Sequence, residues 1–137
     1  MAISSQENHK AHALHNENVY QFLKKEPEFI DWRVTTAFYA ALHFVEHKLF
    51  PLATTFAGKD ETFKTIEEYR DFFSKRSKHQ ARVHAVKNNI KPCRTEYKVL
   101  FDLSMQARYR RYKFSNSRQV DKKIERCLTA IKKACLS

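Results

Sequence analysis

Apolar residues recur at helical spacing through residues 31–50, where Phe38, Leu42, Val45 and Leu49 mark one side of a helix ended by Pro51. Ala37, Ala40, Ala41 and Phe44 cover the adjacent side. A helix that is apolar over most of its circumference belongs at the centre of a bundle, and its alanines let a neighbouring helix come close. One polar line interrupts it. Thr36, Tyr39, His43, Glu46 and His47 fall at three- and four-residue steps and so share a face. A central helix with a titratable seam is a natural place for a function.

The rest of the chain carries weaker versions of the same period. Ser4 or Ser5 is positioned to cap a first helix running to about Lys24, with Leu14, Val19, Phe22 and Leu23 inward. Pro27, flanked by Glu26 and Glu28, marks the approach to the second helix, where acidic residues complement the helix dipole. Residues 51–62, with the only glycine, Gly58, read as the clearest loop. A short helix or turn follows with Phe63, Ile66, Tyr69, Phe72 and Phe73. Ser77 then caps a helix from Lys78 to Ile90 with Val83, Val86 and Ile90 inward. A further helix spans about Thr95 to Tyr109, with Tyr97, Leu100, Phe101 and Ser104 on one side. The last helix buries Val120, Ile124, Cys127 or Leu128, and Ile131. The expected architecture is all-α: one domain over residues 1–137, an antiparallel bundle of four long helices plus a short one.

Composition agrees and adds limits. One glycine and three prolines leave little for sharp turns, and eleven Phe, six Tyr and one Trp supply bulky packing material. No secretory leader or membrane-length apolar run is visible, and three cysteines without a CxxC pair suit unpaired thiols in a reducing cytoplasm. Cys127 and Cys135 read as core residues. Charge changes the picture more. Residues 1–69 hold 7 Lys and Arg against 10 Asp and Glu, whereas residues 70–137 hold 19 against 5. A chain of net charge +11 with its positive charge in one half suggests a polyanion or an acidic protein as partner.

Trp32, Ala37-Phe-Tyr-Ala-Ala-Leu-His43 and Val45-Glu46 resemble the long second helix of small bacterial HEPN domains. His79-Gln-Ala-Arg82, Tyr97-Lys-Val-Leu100 and Leu103 to Tyr109 fit the same pattern in order, so the resemblance covers roughly residues 8 to 135. It implies a HEPN-like helical bundle, a homodimer, and a toxin–antitoxin or defence setting. HEPN domains that cut RNA place a His four to six residues after an Arg. Arg neutralises the phosphate, while His near neutral pH moves a proton. No Arg–His pair here has that spacing. The family's catalytic residues are therefore not carried over.

Two surfaces remain as candidates. His43, with Tyr39 and Glu46, is placed to face His79 and Arg82 across a groove, and with Arg108 would make an atypical endoribonuclease site that needs no metal. The alternative is an internal polar network in which His43 and Glu46 satisfy each other and set helix register. The second surface is Arg108-Tyr-Arg-Arg-Tyr-Lys113, extended by Arg118, Lys122, Lys123 and Arg126. Here Arg108, Arg110, Arg111 and Lys113 would contact phosphates, and Tyr109 and Tyr112 would either stack on bases or pack in the bundle.

No metal or cofactor is expected. His9, His12 and His15 drift by about 60° per step around a helix. His43-Phe-Val-Glu46-His47 matches the H-x-x-E-H zinc pattern, but no third ligand is signalled. The expected function is RNA or nucleotide-polyanion binding, as an accessory module. The rivals are a toxin-like endoribonuclease and a subunit that docks an acidic protein partner.

Overall fold

The computed structural model describes residues 4–110, 114 and 116–137. It is mostly helical: α1 (Ser5–Leu23), α2 (Ile30–Leu49), α3 (Ile66–Phe72), α4 (Lys78–Asn89), α5 (Arg94–Tyr109) and α6 (Ser117–Leu136). Short 3-10 turns at Pro27–Phe29 and Lys91–Cys93 lead into α2 and α5. The described residues hold six helices rather than the four to five of the expected bundle: five long segments and the short one are each marked by their apolar spacing, so the total, not their placement, is what changes. Among those residues, no helix is long and apolar enough to cross a membrane.

The helix starts follow local chemistry. Ser4 accepts from the Glu7 backbone N–H, Thr65 from Glu68, Ser77 from Gln80 and Asn116 from Gln119, each at 3.1–3.2 Å. These contacts satisfy N–H groups that a helix leaves without partners at its first turn. Of the two serines that could cap α1, Ser4 does so, and Ser77 caps α4 as expected.

α2 is the central element, packing against α1, α4, α5 and α6. Val34, Ala37, Phe38, Ala40, Ala41, Phe44 and Val45 have no exposed surface, and each large apolar side chain so buried contributes about 1.5–3 kcal/mol. Directions follow from the pairings. Gln6 meets His47 and His9 meets His43, so α1 and α2 run antiparallel. Arg33 pairs with Asp121 and Lys48 reaches Ser137, so α2 and α6 run parallel. α6 contributes Ile124, Cys127, Leu128, Ile131 and Cys135 to the core, in keeping with its predicted face. All three cysteines are buried as free thiols.

Two expectations fail here. Residues 51–62 are not a loop. Leu52–Phe56 (β1) and Lys59–Phe63 (β2) pair antiparallel, Phe56 opposite Lys59, around a two-residue turn of Ala57 and Gly58. Both turn residues have positive φ, 53° and 78°, as the tight hairpin turn demands. Phe63 and Phe56 pack edge-on against Phe72, anchoring the hairpin to α3.

The inward face of α1 differs in part: Leu14 packs against the core as expected, but the fully buried positions are others. Ala13 and Tyr20 are buried, whereas Phe22 is 67% exposed. α1 turns toward α2 the face carrying Gln6 and His9, because the side of α2 that it covers is itself the polar seam.

Candidate functional site: a buried carboxylate–guanidinium pair ringed by histidines

The seam on α2 is fully partnered. Thr36 donates to its own helix backbone, Tyr39 accepts from Arg108, and His47 bonds the Gln6 carbonyl at 2.7 Å. At the centre is Glu46, only 5% exposed. Arg82 of α4, 7% exposed, donates from Nε to Glu46 Oε1 at 2.7 Å. Two opposite charges removed from water together are tolerable only with such close hydrogen-bonded geometry. His9 of α1 approaches the other oxygen, Nε2 to Oε2 at 3.2 Å.

Arg82 also fixes His79. Its Nη1 lies 3.2 Å from His79 Nδ1. A guanidinium has no acceptor, so His79 Nδ1 must accept and the ring proton must sit on Nε2. Burial, then the charges of Arg82, Arg108 and Lys78, bring the His79 pKa down from 6.5 to about 4. The ring sits between Phe38 and Phe101, at centroid distances of 5.7 Å from each. His79 is thus a neutral hydrogen-bond donor near neutral pH.

A consequence follows by linkage. Between pH 6.5 and about 4 the unfolded chain takes up a proton at His79 that the folded chain refuses. The stability due to this group is therefore complete above pH 6.5 and declines as pH falls toward 4. In an NMR titration the neutral His79 ring is expected to show the Nε2–H tautomer and to take up its second proton near pH 4. A midpoint near 6.5 would mean that the ring is solvated and free of Arg82.

His43 lies on the other side of Glu46. Its Nδ1 is 3.0 Å from His9 Nδ1, and the His12 ring stacks on it with centroids 3.9 Å apart. Burial comes first, followed by His12, His9 and Arg82, in lowering the His43 pKa from 6.5 to about 4. A cavity of about 200 Å³ opens beside the carboxylate and is bordered by His9, Arg82, Lys64 and Lys78. The H-x-x-E-H arrangement does not form a zinc-peptidase site, since His47 is turned to the α1 backbone and Glu46 to Arg82.

The predicted groove residues are therefore brought together, though as a closed network rather than an open one. His79 and Arg82 touch, and Arg82 and His43 join through Glu46 and His9. Arg108 approaches from α5, where its Nη1 donates to Tyr39 Oη at 2.8 Å and its Nη2 to Ser104 Oγ at 3.3 Å. Of the predicted phosphate contacts, Arg110, Arg118 and Lys122 are exposed, while Arg111 and Lys113 lie outside the described residues. Tyr109 does not pack in the bundle; it is 69% exposed, with the Arg108 guanidinium 5.1 Å from its ring centre.

Helical period alone puts His9 and His12 on the polar face of α1, and only their partners on α2 bring them into the site. Compared with protein-family models, curated proteins and solved structures, the chain matches none of them.

Proposed function

We propose that this protein binds single-stranded RNA or a related nucleotide polyanion through the basic end formed by the last turn of α5 and the first half of α6. In this reading it is a HEPN-like accessory module, with α1, α2, α5 and α6 as the bundle frame, acting as a homodimer in a toxin–antitoxin or defence setting. The observation that carries it is Tyr109, a ring 69% exposed and flanked in the chain by Arg108 and Arg110. An aromatic face beside cations suits a stacked base with its phosphates. Arg118, Lys122, Lys123 and Arg126 extend the charge along α6 and are all exposed. A cavity of about 310 Å³ beside the last turn of α5 is bordered by Gln106, Asn116, Gln119 and Lys123.

The endoribonuclease reading draws less support. A general base needs a free ring lone pair, and His79 spends its lone pair on Arg82. Arg82 in turn is committed to Glu46 rather than to a phosphate. The charges arranged here hold the fold together, whereas Arg110 beside Tyr109 is exposed.

Tyr109 provides the test. Its replacement by alanine should weaken single-stranded RNA binding by roughly 5- to 150-fold, the worth of one stacked base. Tyr109→Phe should stay within about twofold of the parent, because stacking uses the ring and not the hydroxyl. Equal affinity for parent and Tyr109→Ala in fluorescence anisotropy would refute stacking. Capture of an acidic protein by a chain that ignores RNA would favour the docking alternative.

A further inference from the structure

His9, His43 and Glu46 play no part in the RNA-binding surface, yet they converge from two helices. One donor atom from each lies within 4.8 Å of the other two. The close pairs are 3.0 Å between the two histidine rings and 3.2 Å from His9 to the Glu46 carboxylate. Donors placed 2.0–2.1 Å from a tetrahedral ion stand roughly 3.3–3.4 Å apart. His9 makes the two short contacts through different ring nitrogens, so the three donors stand close to ligand spacing and close round an ion once His9 turns one nitrogen toward both neighbours.

We propose that His9, His43 and Glu46 form a binding site for a divalent transition-metal ion of the zinc class, bridging α1 and α2. Two imidazoles and one carboxylate are a ligand set that zinc accepts with a fourth position left for an outside ligand. The fourth position has somewhere to open, because His9 and Glu46 both border the 200 Å³ cavity. Lys64, Lys78 and Arg82 line that cavity as well, so it suits a water or a small anion such as phosphate.

The supporting shell is already in place. Arg82 holds Glu46 Oε1 at 2.7 Å and leaves Oε2 to the ion. A hydrogen-bonded carboxylate of this kind is oriented before the metal arrives. The His12 ring, stacked on His43 at 3.9 Å, limits rotation of that ligand. One adjustment is required. His9 uses both ring nitrogens, one toward His43 and one toward Glu46, and must offer a single nitrogen to the ion. The metal then replaces the direct His9–His43 contact, and each neutral ring keeps its one proton on the nitrogen turned away from the ion.

Co²⁺ is a suitable probe, since its visible ligand-field bands report coordination directly. The parent protein should take up one equivalent and develop the bands of a four-coordinate site, which Zn²⁺ should then bleach by displacement. His9→Ala and His43→Ala should each weaken binding by at least about 100-fold, beyond the loss typical of an outer-shell change. His15→Ala, on the exposed side of α1, should bind as the parent does. Circular dichroism of each variant separates ligand loss from unfolding, and His9, only half-buried, is the safer of the two substitutions. Zn²⁺ should also raise the melting temperature of the parent and leave that of His9→Ala unchanged. The proposal is overturned if the parent shows no stoichiometric uptake, or if folded His9→Ala binds as tightly as the parent.

Discussion

Arg82→Ala is expected to destabilise the protein by about 3–5 kcal/mol, the largest effect of any single substitution in the polar network. The cost arises from what remains. Glu46 would stay buried with His9 at 3.2 Å as its only close partner, and His79 would lose the donor that fixes its tautomer. A domain of this kind is stable by only about 5–15 kcal/mol, so the loss is a large share of the total. Arg82→Lys restores the charge but not the fork that reaches Glu46 and His79 together, and should recover only part of the loss.

Replacing both partners by apolar residues of similar volume, Arg82→Met with Glu46→Leu, should cost much less than Arg82→Ala alone, because no charge is stranded. Urea unfolding of the set gives the comparison. A loss below about 1 kcal/mol for Arg82→Ala would place the pair in the range of solvated surface bridges and contradict its burial.

How legible this network was depends on the element. α2 could be read directly, because a long apolar period broken by a single polar line marks a central helix whose polar groups must find partners inside the bundle. Each member of that line does have a hydrogen-bond or aromatic partner. The partners from α4 were also within reach, since His79 and Arg82 sit at helical spacing just after the Ser77 cap. α1 was not. Its histidines recur every three residues, which turns each one about 60° from the last. The structure displays that drift: His9 meets Glu46, His12 reaches only the edge of the site against His43, and His15 is exposed. Knowing that His9 was the useful one required knowing that α1 lies antiparallel on the seam.

The hairpin was hidden for a different reason. The sequence offers Ala-Gly where Asn-Gly would announce a tight turn, and an alanine at positive φ is uncommon. Thr54, Thr55 and Thr62 were the available strand signal, since β-branched residues favour pleated backbone. The basic end was legible in charge but not in geometry. Composition places most of the cations beyond residue 70. Only the structure separates Arg108, tied to Tyr39 and Ser104, from the exposed Arg110 and Arg118.

That separation sets the second large effect. Neutralising four phosphates of a single strand gives a slope of about −3 in log affinity against log salt. Single-stranded RNA binding should therefore weaken roughly 50-fold between about 50 and 200 mM salt. Arg110→Ala and Arg118→Ala together remove two such contacts and should bring the slope to about −1.4. Since both residues are exposed, the variant should fold as the parent does.

The salt titration of parent and double variant by anisotropy is the most direct measurement of the central claim. A steep parent slope that the double variant halves is the predicted result. Binding that ignores salt, or a slope identical in both proteins, would contradict a polyanion surface at the end of α5 and α6.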